Sequence, residues 1–448
     1  MSGKRRLFLY LVTFIVFLTG CSQKNREPSG AETTKKENIQ ISGTESGLLN
    51  VVETNWQPSF KKLNIQSLNS LIDISNEAVY VVEARVDQVR RKLNYFFSNY
   101  DQEGNQTKEV QLQIDEDYHL KDFSAGKEGG ILLLGEEPAN SDTAGSSHLM
   151  KFDNQGNLLF SVDASSYFPD VDQLNFVELM EGPGGDVYFL ENRTSKIVCL
   201  NPDGSLLRVI EESDKYISKL FFVGEDHLYG LGEMEGNKYL WEIDTESGTI
   251  DAEGYILKEQ DVRGFLNGDA TKLFVQTSRG LKDFSFEDGE GEMVIDWVTA
   301  GISSQDIKKA AFLSSASLAV ITQSVRDEME TELVIFTKSD KPIQKEVLTL
   351  ATLDPGPELL NQVLSYNKFS ESYSVYVNNY FDASSPDMSI EDAMKRLQVD
   401  LISGTAGDLV DLESLSDLAT RRSYAAKGLL EDLYGWMKRT HPFIKKII

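Results

Sequence analysis

The feature that most restricts the fold is a repeat, a polar or glycine-containing turn that runs into a short β-type stretch. Six copies stand out: 76–82, 128–134, 184–190, 224–230, 268–275 and 315–321. With Tyr80, Leu133, Tyr188, Tyr229, Phe274 and Val320 as markers, successive units lie 41 to 55 residues apart. A period of that size marks stacked supersecondary units. Behind most markers a second apolar run ends in a turn, as in Met150-Lys151-Phe152 before Asp153-Asn154-Gln155-Gly156, or Ile197-Val198-Cys199-Leu200 before Asn201-Pro202-Asp203-Gly204. The Asp/Gly turns supply the positive φ at which strands reverse. Two hairpins per period make a four-stranded sheet, the blade of a β-propeller. The chain is therefore predicted to be mainly β, with a propeller of about six blades over residues 46–345. The stretch from Leu49 to Trp56 adds either a strand that closes the ring or an incomplete seventh blade. A pair of β-sandwiches is the competing architecture, but it would not require so regular a period.

The ends differ from this body. Lys4-Arg5-Arg6 precedes an apolar run from Leu7 to Leu18 that only Tyr10 and Thr13 interrupt. The run is short for a membrane span and reads as a signal peptide. Its ending, Leu18-Thr19-Gly20-Cys21, resembles a bacterial lipobox. The resemblance implies that residues 1–20 are a lipoprotein signal peptide and that Cys21 is lipidated. It further implies that a membrane is a partner through the lipid anchor, outside the cytoplasm of a bacterium of Gram-positive type. Residues 21–45, rich in Ser, Lys, Glu and Thr, offer too little apolar surface to offset ordering entropy and are expected to be a flexible tether.

Charge and composition exclude several functions. The 448 residues carry 44 Lys+Arg against 71 Asp+Glu, a net charge of −27. Nucleic acid is not an expected partner, because binding it needs clustered positive charge. Two Cys and four His cannot supply a zinc cluster or a disulfide framework. His119, His148 and His227 stand apart from one another, and Cys199 alternates within an apolar strand as a small buried hydrophobe would. Asp101 to Asn105 and Asp153 to Asn157 contain oxygen ligands but no twelve-residue calcium loop, and are read as hairpin turns. No Gly-x-Ser-x-Gly elbow, His-Glu-x-x-His pair or Walker loop is present. No catalytic residue, metal ligand or cofactor is assigned, and the chain is expected not to be an enzyme.

After Lys345 the pattern changes. Glu346 to Leu353 is a continuous apolar run, as in a strand buried on both faces. Asp354-Pro355-Gly356-Pro357 breaks it, and Leu359, Leu360, Val363, Leu364 and Phe369 follow at helical spacing. Tyr373 to Tyr380 is a second strand, Ser389 with Asp392 forms a capping box, Gly404 is placed as a left-handed cap, and Asp408 to Leu412 is a third strand. The order β-α-β-α-β is an α/β unit with a parallel sheet. The passages 401–412 and 423–433 resemble extracellular solute-binding proteins of ABC importers, the sugar-binding type. That resemblance implies an incomplete, periplasmic-binding-protein-like α/β lobe over 346–448. It places ligand-binding residues at the strand ends, Thr352, Asp354, Glu413 and Ser414, and makes an ABC permease the partner. Three strands are a fraction of two such lobes, so the lobe is expected to be truncated, not competent for closure, and to leave Leu359, Val363, Leu397 and Leu401 uncovered. Two functions compete: a surface lipoprotein related to carbohydrate-type solute-binding proteins, or a surface-tethered propeller module that binds glycan, peptide or protein.

Overall fold

The computed structural model describes residues 54–430, apart from the stretches 66–69, 76–77, 90–91, 115–117, 127, 138–144, 172, 213, 225–226, 270–271, 325–329, 342–344, 382–388 and 415–417. Cys21, the signal segment and the tether lie outside the described residues. Two compact units divide the chain, one formed by 53–297 with 303–343 and the other by 298–302 with the residues from 344 onward.

The first unit is a six-bladed β-propeller. Blade 1 is Leu71–Ser75, Ala78–Asp87, Lys92–Tyr100 and Gln106–Gln111 in spatial order. Blade 2 is His119–Ala125, Ile131–Glu136, Ser147–Phe152 and Leu158–Asp163, and blade 3 is Phe176–Glu181, Val187–Glu191, Lys196–Leu200 and Leu206–Ile210. Blade 4 runs Tyr216–Val223, His227–Met234 and Asn237–Asp244, and both Thr249–Ile250 and Tyr255–Ile256 pair with its third strand. Blade 5 is Gly264–Asp269, Lys272–Gln276, Gly280–Ser285 and Glu290–Asp296. Blade 6 takes Ile307–Ser314, Ser317–Ser324 and Glu330–Lys338 from its own region, and its outermost strand is Trp56–Leu63. That strand pairs antiparallel with Glu330–Lys338 from Trp56↔Lys338 to Leu63↔Thr331, so the N-terminal strand closes the ring. The closing strand begins at Trp56, and the described residues hold no seventh blade.

Each marker residue sits in the second strand of its blade. These strands are apolar along their length because a neighbouring blade covers each face, as the burial of Val79 to Val82 and Ile131 to Leu134 shows. Leu132, Leu134 and Leu149 of blade 2 share a core with Val187, Phe189 and Val198 of blade 3. Ile74 and Val81 of blade 1 meet Ala319, Ile321 and Leu333 of blade 6, so packing runs round the ring. The Asp turns are hairpins: Asp101 Oδ1 accepts the N–H of Glu103 at 3.1 Å and of Asn105 at 2.8 Å. Asp153 does the same for Gln155 and Asn157, with Gly156 at φ 83° completing the reversal. For Asp153 the Asn157 side-chain amide, donating at 2.8 Å, and for Asp101 the Asn105 backbone N–H are the main causes that, with the other N–H groups, hold both carboxyls below the usual carboxylate range. Cys199 is buried, and loss of hydration pushes its thiol up to about 12.

The second unit is a three-stranded parallel sheet in the order Tyr373–Asn379, Glu346–Thr352, Leu409–Val410. Helix α1 (Pro357–Phe369) packs Val363 on Leu350, Val375 and Leu409. Helices α2 (Ile390–Ser403) and α3 (Leu418–Ala426) bring Ala393, Leu397, Leu401 and Tyr424 to Ala351 and Val410. Both faces of the central strand are thus covered, which is why it reads as an unbroken apolar run. The cover also corrects the expectation of bare apolar faces: Val363, Leu397 and Leu401 are buried and Leu359 is half-buried. Ser389 Oγ accepts the Asp392 N–H at 3.1 Å, and Gly404 is left-handed at φ 75°. The likeness to a periplasmic-binding-protein lobe is not borne out. The passage after α2 has its small residues for local reasons, Gly404 as the helix cap and Gly407, at φ 117°, because a Cβ there would stand 2.9 Å from the Thr349 side chain.

Candidate functional site

The innermost strands of the six blades neighbour one another in a closed circle around a central channel. Five of them carry a register shift, that of blade 5 falling at the end of its strand between Asn267 and Asp269, and in the other four a charged residue follows the bulge at once. The register shifts between Leu120 and Asp122, Phe176 and Glu178, Ile217 and Lys219, and Ile307 and Lys309. An extra residue bends the strand and re-aims the next side chain, so the bulges deliver Asp122, Glu178, Lys219 and Lys309 to the channel. Blade 1 adds Asp73 without a bulge. Glycines make room opposite two of the bulges, Gly135 across from Leu120 and Gly232 across from Ile217. A Cβ on Gly232 would lie 1.8 Å from the Tyr216 carbonyl oxygen and 2.8 Å from the Trp241 ring. Gly232→Ala is expected to cost about 2 kcal/mol through this overlap, read as a lowered urea midpoint with an unchanged slope. An unaltered midpoint would mean that the two strands are not held so closely.

The charges interlock. Lys309 Nζ lies 3.0 Å from Asp73 Oδ1, and Asp73 Oδ2 accepts the Ala125 N–H at 2.9 Å, tying blades 1, 2 and 6 together. Asp73 is 5% exposed. About half of the Lys309 side chain stays open, at 47%, but this surface faces the channel and is surrounded by protein. The facing carboxylate of Asp73 raises the Lys309 ammonium above its ordinary range, with Glu178 and Asp122 adding to the effect and burial opposing it. Lys219 Nζ is 3.8 Å from Glu178 Oε1. Burial raises the Glu178 carboxyl, against the pull of Lys219 and Lys309. Burial also pushes Asp122 up to about 7; Glu178 and Asp73 add to the rise, whereas Lys309 and the Phe123 N–H oppose it.

A cavity of about 440 Å³ opens among these strands and contains Glu178, Lys219 and Lys309 in its wall. Arg263, Lys308 and Phe265 also line it, and Phe265 stacks on Phe221 with ring centroids 4.8 Å apart. The size falls within the range of small-ligand sites, roughly 300–1,000 Å³.

None of these residues was singled out by the sequence. The residues singled out for ligand binding lie in the other unit. There Thr352 and Ser414 come together: Thr352 Oγ1 is 3.1 Å from Asp411 Oδ2 and 3.2 Å from Ser414 Oγ, which donates to Asp411 Oδ2 at 2.9 Å. The Leu353 N–H donates to Ser414 Oγ at 2.8 Å. Both hydroxyls are buried and spent on this internal network. Asp354 and Glu413 are exposed, and the Glu413 N–H caps back onto Asp411 Oδ1 at 3.0 Å. His148 is held by Glu137 and Ser146, and His227 by Glu242, all within their own blades.

No family model matches the sequence, and no match is found among curated proteins. Solved structures with a similar trace include propellers. A protein of unknown function from Dyadobacter fermentans is 10% identical with a TM-score of 0.42, covering 62% of this chain and 98% of its own. The β-propeller domain of the Trilobed protease from Pyrococcus furiosus is 10% identical with a TM-score of 0.37, covering 62% and 84%. YCF48 from Cyanidioschyzon merolae is 9% identical with a TM-score of 0.35, covering 62% and 99%. The identification as a lipoprotein of the solute-binding type is corrected accordingly: most of the described residues build a six-bladed propeller, and the C-terminal unit is a three-stranded sheet with three helices and not a binding-protein lobe.

Proposed function

We propose that the chain is a β-propeller binding module, not an enzyme, and that a peptide or protein partner inserts a segment into its channel. The observation that carries this is the channel cavity itself, where charges of both signs stand beside the stacked Phe221 and Phe265 rings. Charged groups orient a ligand and aromatic faces supply most of its buried contact, a combination typical of recognition sites. Among the described residues the cavity wall includes no histidine or cysteine. The basic and apolar text of residues 4–18 supports a working place outside the cytoplasm.

Selection of a random peptide display library on the immobilised chain should enrich binders. Phe265→Ser, with its fold verified by an unchanged far-UV dichroism spectrum, should weaken them about tenfold or more. Peptides that bind Phe265→Ser and the parent chain equally well would put the recognition surface elsewhere. An empty selection would remove the proposal altogether.

A further inference from the structure

The cavity wall inverts the charge balance of the chain. Acids outnumber bases by 71 to 44 in the whole sequence, yet the wall carries four cations, Lys219, Arg263, Lys308 and Lys309, and one carboxylate, Glu178. Two of the four are committed, Lys309 to Asp73 at 3.0 Å and Lys219 to Glu178 at 3.8 Å. The other two are available. Among the described residues no acid pairs with Lys308, which is exposed on the innermost strand of blade 6. Arg263 stands at the entry to the innermost strand of blade 5, where its partners are distant: Asp261 Oδ1 at 3.9 Å and the Ser304 carbonyl at 3.4 Å. Neither distance satisfies a guanidinium fork whose good carboxylate bonds run to about 2.7–2.9 Å.

We propose that Arg263 and Lys308 form the receiving pair for a carboxylate, and that the ligand is an acidic peptide segment with an aromatic or apolar residue beside the acid. This rests on the binding-module reading and specifies its partner. Arg263 supplies a planar donor fork that suits a carboxylate, and Lys308 a mobile point charge next to it. Phe221 and Phe265 form the apolar part of the same wall. A free polycarboxylate would have to give up its hydration against those rings and gain nothing from them. A peptide brings the acid and its apolar neighbour together, so both parts of the wall are used. The high negative charge of the rest of the chain repels acidic segments over the general surface and leaves the channel as the place where one is attracted.

The test is fluorescence anisotropy on the full chain with a labelled Gly-Glu-Phe-Glu-Gly peptide, a Gly-Lys-Phe-Lys-Gly counterpart, and citrate as competitor. The acidic peptide should bind and the lysine peptide should not. Raising salt from about 50 to about 300 mM should weaken the complex, since partly exposed pairs are screened. The double variant Arg263→Glu/Lys308→Glu, both side chains being exposed, should stay folded and lose affinity by about tenfold or more. Equal affinity in that variant, or preference for the lysine peptide, would overturn the inference. Citrate binding with the same sensitivity to the double variant, while the acidic peptide fails to bind, would overturn the peptide assignment. Display-selected peptides that lack acids, are insensitive to the double variant and are weakened by Phe265→Ser would reject this inference and leave the binding module standing.

Discussion

Replacing Asp122 by asparagine is expected to stabilise the propeller by up to about 4 kcal/mol at pH 8 and to give no gain near pH 4. Burial pushes the Asp122 carboxyl up to about 7 from an ordinary value of 3.8, with Asp73 and Glu178 facing it and Lys309 only partly compensating. Because the folded value lies above the unfolded one, the folded chain keeps a proton that the unfolded chain has released between these two values. Stability from this group is therefore fully present below about pH 4, declines as pH rises through about 7, and is flat beyond. Asparagine stays neutral throughout and can still accept the Phe123 N–H that Asp122 Oδ1 accepts at 2.9 Å. Urea unfolding of both proteins from pH 4 to pH 8 gives the two curves. They should converge at the acid end and separate steadily toward neutrality. A variant less stable than the parent at pH 8 would show that Asp122 works as an ionised partner of Lys309 and not as a carboxyl that burial keeps protonated.

The propeller was legible in the sequence because its second strands are buried on both faces. Such strands must be apolar at every position, so Val79 to Val82, Ile131 to Leu134 and Val187 to Leu190 announce themselves and fix the period. The closing strand was half legible. Trp56–Leu63 carries Lys61, Lys62 and Pro58 on an outer edge that needs no continuous apolar face, and so gives little signal beyond Trp56. The channel was missed for the same physical reason in reverse. Innermost strands lend one side to solvent inside the ring, and their bulges break the two-residue alternation by which a strand is recognised. A trace does exist. Leu71-Ile72-Asp73-Ile74, Leu120-Lys121-Asp122-Phe123, Phe176-Val177-Glu178-Leu179, Ile217-Ser218-Lys219-Leu220 and Ile307-Lys308-Lys309-Ala310 share one pattern, an apolar residue, a spacer, a charge and a small or apolar residue. Each charge stands 7 to 11 residues ahead of its marker. Nothing in the sequence says that these charges face one another, since that follows only from closing the ring. In the C-terminal unit the elements were legible from caps and periodicity, but the family was not, because a left-handed cap and a tight turn demand small residues in any α/β unit.

Lys309→Met is expected to cost about 1–3 kcal/mol at pH 8, less than loss of a partner from a fully buried ion pair because about half of the lysine meets channel solvent while Asp73 is buried. The methionine keeps most of the packing of the lysine stem, so the loss is electrostatic. Asp73 would retain the Ala125 N–H but lose its counter-charge while only 5% exposed, and Asp122 and Glu178 would lose the cation that offsets their burial. The cost should shrink toward pH 4, as Asp122 and Glu178, both with raised values, take up protons and no longer need a cation. The same logic predicts that Asp122 titrates at a higher pH in Lys309→Met than in the parent chain. The double variant Asp73→Asn/Lys309→Met should recover at least half of the loss, since an amide can accept the Ala125 N–H without carrying a buried charge. Urea unfolding of the parent, the two single variants and the double variant at pH 5 and pH 8 completes the cycle. If the two single costs simply add, Asp73 and Lys309 act independently and the channel charges do not form a coupled girdle. If instead the coupling is large, the ring of blades is held shut at its centre by charge as well as at its rim by the Trp56–Leu63 strand.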